Sequence, residues 1–309
     1  MSETLNHLSL GLRLTGDGRL ADAASAFRQA GHAGSTLGDA LAKVVTGQNS
    51  RSPYEQAEAF QVFINGGGNV ALYAAVHVAL AELHLALGAR SLLDIGAGDG
   101  RALLPPLSSA GDSLARLGIV EPSLELLDGL KIGLGQIGLS NRTEIELRPE
   151  TLQNFLQSPH VGPKWDLAQA TFSLQSLEPG ERVAALRELR TRVDALAIIE
   201  FDVPDLVAGS EEELLSIATR FESGLIGYGE HAQLVAEGFL APMLLGKVRD
   251  PSQRHNWEQP ANFWAQELAA AGYEVDKVRT IAPYSWSPAF LLVARPDLRF
   301  PKRANQRAT

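Results

Sequence analysis

A glycine-rich run holds the residues of this sequence that are best suited to chemistry. Asp94 closes a short apolar stretch, and Gly96, Gly98 and Gly100 follow it at alternate positions. Glycines at this spacing permit a tight turn and let the backbone come close to a ligand. Glu121 ends the next apolar stretch, where a carboxylate can accept hydrogen bonds from both hydroxyls of a ribose. The pattern predicts a site for a ligand that contains adenosine.

The carboxylate ahead of the glycines narrows the choice of ligand. Asp94 would repel the pyrophosphate of a dinucleotide and attract a cationic group. S-adenosylmethionine has an ammonium group on its methionine portion and carries no phosphate. Asp94 therefore favours the sulfonium cofactor, whereas Glu121 fits a nicotinamide site equally well. A nicotinamide-dependent oxidoreductase on a Rossmann fold stays open as the alternative.

Strand-like and helical stretches alternate from Ser91 onward, and this alternation would position those residues. It predicts an α/β fold with a mostly parallel sheet and helices on both faces. The predicted strands are Ser91–Ile95, Arg116–Val120, Glu144–Arg148, Leu167–Thr171, Ala195–Phe201, Tyr273–Thr280 and Ala289–Ala294. The helices predicted between them are Leu103–Ala110, Leu124–Ile132, Leu152–Leu156 and Pro179–Val193.

The first ninety residues are predicted to be helical. Pro53 suits the first turn of a fourth helix, and Asn69 suits the N-cap of a fifth helix that runs to about Leu87. The first three helices are predicted at Leu5–Thr15, Leu20–Ala30 and Leu37–Thr46 from the helical spacing of their apolar residues.

One or two further helices are predicted over Glu211–Phe239, between the fifth and sixth strands. An insertion at this point can cover a ligand site. We therefore expect a helical region over 1–90 that covers the site, and a cofactor-binding core over 91–300 with residues 206–260 as a lid.

Two stretches resemble motifs of the class I S-adenosylmethionine-dependent methyltransferases. Leu93–Gly100 looks like the first motif of that family, and Trp165–Pro179 is similar to its fourth-strand motif. The resemblance implies a Rossmann-like seven-stranded sheet, S-adenosyl-L-methionine as cofactor, and methyl transfer to a small molecule. It assigns cofactor contacts to Asp94, Gly96, Ala97, Gly98, Glu121, Pro122, Thr151, Leu152, Ala170, Thr171 and Phe172.

The sequence departs from the family pattern after the fourth strand. Many relatives carry a histidine there, whereas this chain has Gln175 and Ser176. A histidine base cannot be transferred to that position. A protein that binds the cofactor without catalysis, or uses it for an atypical reaction, therefore stays an alternative.

The segment Ala59–Tyr73 contains three consecutive glycines and resembles the segment that precedes the core of actinobacterial secondary-metabolism methyltransferases. That resemblance implies closure over the cofactor, with Gly67, Gly68 and Asn69 in contact with it. A plain turn between two helices is the alternative explanation for the glycines.

Methyl transfer by direct displacement needs positioning and exclusion of water, and a base helps when the acceptor is a hydroxyl or a carbon acid. The candidates for such a role are Glu200, at the end of the fifth strand, and Tyr228 and His231 in the predicted lid. Two of them have alternatives: Glu200 as a solvent-facing or capping acid, and His231 as a structural or exposed histidine. The acceptor is expected to be natural-product-like and methylated on O, N or C. Apolar side chains of the insertion, such as Phe221, Phe239 and Met243, hint that it is hydrophobic.

Three histidines outside the core of the predicted site are given no ligand role. His77 and His84 lie seven residues apart on one predicted helix face and are expected at the surface or between helices. His255 lies in a polar loop, and no histidine spacing indicates a metal site.

The composition of the 309 residues limits the classes of partner. The net charge is −9, with no dense basic run, so nucleic acid is not expected as a partner. No apolar run is predicted to reach the roughly 20 residues of a membrane span, and no signal peptide is recognised, so a cytoplasmic protein without a membrane partner is expected. Cysteine is absent. A homodimer is a hypothesis that the sequence leaves open.

Overall fold

A seven-stranded sheet, in the order β3-β2-β1-β4-β5-β7-β6, is the central element of the computed structural model. Strands β1 to β5 pair in parallel, and β7 pairs antiparallel with β5. The strands are β1 (Ser91–Ile95), β2 (Arg116–Val120), β3 (Glu144–Arg148), β4 (Leu167–Thr171), β5 (Leu196–Phe201), β6 (Tyr273–Ala282) and β7 (Ala289–Pro296). All seven predicted strands are confirmed, with small differences at their ends.

The structure describes residues 2–47, 57–109, 113–139, 143–159, 162–249 and 256–299. The chain divides into two compact units. The first comprises Met1–Ala74, Val203–His255 and Ala282–Pro288, and the second comprises Ala75–Asp202, Asn256–Ile281 and Ala289–Thr309. One limit of the units therefore falls inside a helix, after Ala74.

The second unit contains the sheet, with apolar side chains on both of its faces. Central parallel strands are buried on both sides, which accounts for their continuous Leu, Ile, Val and Ala runs. One face packs against α8 (Leu152–Gln157), α9 (Pro179–Leu189) and α13 (Ala261–Ala271). The opposite face packs against α6 (Leu104–Ser109), α7 (Leu124–Gln136) and the second half of α5 (Gly67–Leu87).

The first unit is helical and has a core of its own, which includes Leu8, Phe27 and Leu41. Ser2, Ser35 and Ser210 cap three of its helices by accepting a backbone N–H, as short polar side chains do at N-caps. Its helices are α1 (Glu3–Gly16), α2 (Leu20–His32), α3 (Thr36–Val45), α4 (Ala57–Asn65), α10 (Glu211–Gly224), α11 (Ala232–Val235) and α12 (Ala241–Arg249).

Three details of the helices differ from the sequence predictions. The insertion forms three α-helices and extends to Arg249, because a π-helical turn at Ala236–Leu240 joins α11 to α12. Helix α13 was not predicted. Helix α5 begins at Gly67, so Asn69 is not its N-cap and instead lies in its first turn. The predicted starting residue of the fourth helix, Pro53, lies outside the described residues.

Helix α5 corrects the expectation that no segment is long and apolar enough to cross a membrane. It has 21 residues, and its best 18-residue window has a mean hydropathy of 1.7 with 28% of the window buried. Its polar residues break the apolar run, but too few of them are charged to lower the mean. By length and composition alone, this one helix among the described residues meets the requirement for a span.

Candidate functional site

The glycine-rich turn follows β1 directly, as predicted. Gly96 donates its N–H to the carbonyl of Val120 at 2.7 Å and has a φ of 71°. A β-carbon on Gly96 would lie 2.5 Å from the Cβ of Ser173, so this position requires glycine. Gly98 has a φ of 57°, and nothing lies within 4 Å of the place where its β-carbon would be. The turn is therefore closed against β4 at Gly96 and leaves open space at Gly98.

Glu121 lies at the end of β2 and is buried. Its Oε2 accepts the N–H of Gly98 at 3.0 Å, and its Oε1 accepts the N–H of Ser123 at 2.9 Å. A carboxylate has about four acceptor positions, so each oxygen can accept one more hydrogen bond. The two carboxylate oxygens are thereby fixed beside the glycine-rich turn, and they can receive the two hydroxyls of a ribose.

Asp94 is also buried, and its Oδ2 accepts a hydrogen bond from Nε2 of Gln169 at 2.6 Å. The pKa of Asp94 is raised to about 7, mainly by burial. The hydrogen bond from Gln169 opposes this rise, and the charge of Glu121 adds to it. A cation bound beside this carboxylate would favour its ionised form. The position therefore fits an ammonium group better than a phosphate.

The end of β4 carries the predicted residues Ala170, Thr171 and Phe172. Phe172 has a φ of 53°, which is rare for a residue other than glycine, and its ring stacks on Phe201 with centroids 4.5 Å apart. Ser173 then donates its hydroxyl to the carbonyl of Ile95 at 2.7 Å. The buried hydroxyl oxygen of Thr171 has no partner among the described residues. An unusual backbone conformation and an unsatisfied polar atom next to the turn are features of a functional site.

The other predicted cofactor contacts of the second unit lie at the ends of β1, β2 and β3. Ala97 is half-buried within the turn, and Pro122 is exposed after Glu121. Thr151 caps α8, since its hydroxyl accepts the N–H of Asn154 at 3.3 Å, while Leu152 is buried in the core. The strand ends of one parallel sheet edge therefore bring together the assigned residues of the second unit.

The predicted catalytic residue Glu200 is fully buried near the end of β5. Its Oε1 accepts the N–H of Gln175 at 3.2 Å, and its Oε2 has no partner among the described residues. Burial raises the pKa of Glu200 to about 8, although the hydrogen bond from Gln175 lowers it. These contacts make Glu200 a support for the turn that follows β4.

Gly67, Gly68 and Asn69 lie in the first unit, where they pack against two tyrosines. A β-carbon on Gly67 would lie 2.5 Å from the ring of Tyr228, and one on Gly68 would lie 3.2 Å from the ring of Tyr284. The side chain of Asn69 donates to the Tyr228 hydroxyl at 3.2 Å and accepts from the Tyr284 hydroxyl at 3.0 Å. The consecutive glycines thus admit two aromatic rings beside the turn between α4 and α5.

The other two predicted catalytic residues, Tyr228 and His231, have different environments. Tyr228 is buried and donates its hydroxyl proton to the carbonyl of Phe63 at 2.9 Å. His231 is exposed and ends a short 3₁₀ turn. Their catalytic roles stay predictions. Phe221 and Phe239 belong to the core of the first unit, so burial accounts for them without a hydrophobic acceptor.

Sequence analysis missed a buried polar pair behind the turn. His84, expected at the surface or between helices, is buried and hydrogen bonds through Nε2 to Oε1 of Gln169 at 2.8 Å. His77 contacts the carbonyl of Arg101 at 2.8 Å. The signal was Gln169 itself, a polar residue in a strand whose other residues are mainly apolar. His255 lies outside the described residues.

The residues at this sheet edge fit S-adenosylmethionine. The open side of Gly98 leaves room for a ligand, Glu121 has free acceptor positions, and Asp94 is a buried acid that a cation would ionise. Among the described residues, no cluster of three or more His, Asp or Glu side chains could hold a metal ion.

Several solved structures, two methyltransferases and a cyclase among them, are similar to this chain at low identity. The magnesium protoporphyrin IX methyltransferase of Synechocystis PCC 6803, with bound SAH, is 12% identical, covering 78% of this chain and 94% of that one with a TM-score of 0.49. The mitomycin 7-O-methyltransferase MmcR is 18% identical, covering 89% of this chain and 71% of that one with a TM-score of 0.49. The [4+2]-cyclase SpnF is 16% identical, covering 70% and 81%, with a TM-score of 0.45.

No protein-family model and no curated protein matches the chain. Similarity this weak carries no argument about activity. The functional assignment rests on the residues at the sheet edge.

Proposed function

We propose that this chain is an S-adenosylmethionine-dependent methyltransferase that acts on a small molecule. One observation carries the proposal: two buried carboxyls, Asp94 and Glu121, flank a glycine-rich turn that is open at Gly98. Glu121 is suited to the ribose and Asp94 to the ammonium group, so the two acids match opposite ends of the same cofactor.

The sheet order also supports this choice over a nicotinamide-dependent oxidoreductase. The dinucleotide-binding sheet has the order 3-2-1-4-5-6. Here the antiparallel strand β7 lies between β5 and β6. Together with an acid ahead of the glycines, this arrangement disfavours a pyrophosphate ligand.

When bound, S-adenosylmethionine supplies a methyl group that is already activated by its sulfonium. The residues of the chain then have to bind and orient the two reactants and exclude water from them. Glu121 holds the turn through Gly98, Ser173 ties the end of β4 to β1, and Glu200 supports the turn at Gln175. These contacts keep the cofactor side of the sheet edge rigid, which is the main protein contribution to a direct displacement.

The acceptor is proposed to be a small natural-product-like molecule, methylated on O, N or C. This part rests on the resemblance of the motifs and on the acidic net charge of −9, which disfavours nucleic acid. We also propose that the protein acts in the cytoplasm and forms a homodimer.

A crystal structure with S-adenosylhomocysteine tests the assignment of the two acids. We expect the ribose hydroxyls on Glu121 and the ammonium group beside Asp94. A ligand with its ribose or its ammonium group elsewhere would contradict the proposal.

Label transfer distinguishes an enzyme from a protein that only binds the cofactor. The wild-type protein would be incubated with methyl-labelled S-adenosylmethionine and a panel of phenols, amines and carbon acids. We expect label in one acceptor class. Tight cofactor binding without transfer to any member would favour the non-catalytic or atypical alternative.

A further inference from the structure

A line of three polar side chains crosses the core of the second unit behind the glycine-rich turn. Asp94 on β1 and Gln169 on β4 are register partners in adjacent parallel strands. Gln169 is completely buried, and on its other side lies His84 of α5, also buried. Polar groups in such a position are costly unless each is hydrogen bonded, and here each has a partner.

The direction of the hydrogen bonds follows from the charge of Asp94. An ionised carboxylate only accepts, so Nε2 of Gln169 must donate to it at 2.6 Å. The amide oxygen of Gln169 then faces His84, at 2.8 Å from Nε2 of the ring. That nitrogen must carry the proton and donate. An ionised Asp94 therefore fixes both the amide orientation and the tautomer of the histidine.

We propose that Gln169 and His84 are positioning residues that hold Asp94 ionised and oriented for the cationic end of the cofactor. This inference rests on the proposed function. We call the hydrogen-bonded line of His84, Gln169 and Asp94 the relay. Within it, Gln169 occupies Oδ2 of Asp94 from the side of β4. No other hydrogen bond to Asp94 is present among the described residues, so Oδ1 is left for a ligand.

The electrostatics of the line agree with this role. Burial raises the pKa of Asp94, the amide of Gln169 lowers it, and Glu121 is the other charged group that acts on it. Burial lowers the pKa of His84 by more than its hydrogen bond to Gln169 raises it, which favours the neutral ring. A neutral donor behind Gln169 polarises the amide toward the carboxylate without a second charge in the core.

The test is the pH dependence of S-adenosylhomocysteine binding, measured by calorimetry from about pH 6 to about pH 8.5. Wild-type affinity should rise with pH and level off above about pH 7, since only ionised Asp94 attracts the ammonium group. In Gln169→Leu the midpoint should move up by about one pH unit, because a hydrogen bond to a charged group is lost. A uniform loss of affinity at every pH would indicate a purely structural role and overturn the relay.

Two further variants act as controls. Asp94→Asn should bind weakly with no midpoint, and adding Gln169→Leu to it should not restore any pH dependence. His84→Phe should shift the midpoint upward, whereas His84→Gln, which keeps a donor, should restore it toward the wild-type value. Equal midpoints in His84→Phe and wild type would overturn the part assigned to His84.

The tautomer of His84 gives a readout that needs no ligand. Nitrogen NMR of the ligand-free protein near neutral pH should show the proton on Nε2 in wild type. A proton on Nδ1 would contradict the relay.

If wild type fails to bind S-adenosylhomocysteine at any pH, the proposed function is wrong. If it binds but Gln169→Leu keeps the wild-type midpoint, only the relay is wrong.

Discussion

Asp94 and Glu121 differ in what they leave available to a ligand. Glu121 uses both oxygens to hold backbone N–H groups, whereas Asp94 is bonded at Oδ2 by Gln169. We expect Asp94→Ala and Glu121→Ala each to weaken cofactor binding at least tenfold, about 1.4 kcal/mol. Calorimetric titration measures this directly.

Asp99 provides the control for these two variants. It lies in the same turn, is exposed, and accepts from the backbone and side chain of Arg101. Asp99→Ala should retain wild-type affinity. Unchanged binding in well-folded Asp94→Ala and Glu121→Ala would remove both assignments.

Glu200 should make stability fall with pH. Its pKa in the folded protein is raised from 4.5 to about 8, so the folded state binds a proton that the unfolded state has released. Its contribution is present below about pH 4.5 and is lost as the pH rises toward about 8. Glu200→Gln cannot ionise and keeps the acceptor for Gln175.

Denaturant unfolding at several pH values checks this expectation. The free energy of unfolding of Glu200→Gln should fall less than that of wild type between about pH 5 and about pH 8. Parallel curves for the two proteins would show that Glu200 is ionised and well solvated in the folded state.

Residue types and spacing were enough to predict Asp94, Gly96, Gly98 and Glu121 at one sheet edge. They were not enough to predict the relay. Gln169 and His84 are 85 positions apart, and their contact depends on which helix covers β4. The roles of Tyr228 and Glu200 also depend on buried partners, and a sequence does not reveal which carbonyl or N–H those side chains meet.

At the scale of elements, the sheet was predictable because its central strands are buried on both faces and read as short apolar runs. Helix α13 was not predicted; it begins at Ala261, just after the predicted polar loop over residues 250–259. The start of α5 was misplaced because Asn69 is a good capping residue. Its side chain instead donates to the carbonyl of Phe63 at 2.9 Å.

The turn between α4 and α5 should be sensitive to a single methyl group. Gly67 has a φ of 51°, and a β-carbon there would lie 2.5 Å from the ring of Tyr228. Gly67→Ala should cost about 1–3 kcal/mol from overpacking, in addition to the left-handed backbone cost of about 1–2 kcal/mol. Thermal and denaturant unfolding measure the loss.

Gly88, just after α5, is the matched control. Its φ is 58°, and nothing lies within 4 Å of its β-carbon position. Gly88→Ala should therefore show only the backbone cost. If the two variants lose equal stability, the packing of Tyr228 on the glycines is not what the turn requires.

At the scale of the whole molecule, α5 is the one described helix with the length and hydropathy of a membrane span. Glu82 on this helix pairs with Arg279 at 3.1 Å, and His84 is bonded to Gln169. Because these contacts hold α5 against the sheet of the second unit, we expect no binding to neutral phospholipid vesicles. Co-sedimentation with such vesicles would show instead that the apolar side of α5 enters lipid.

The acidic residues at the sheet edge make the identity of the cofactor testable without knowledge of the acceptor. The direct measurement is a calorimetric titration of the wild-type protein with S-adenosylmethionine and, separately, with NADH. We predict saturable binding of S-adenosylmethionine and none of NADH, because Asp94 attracts an ammonium group and repels a pyrophosphate. Binding of NADH without binding of S-adenosylmethionine would contradict the account.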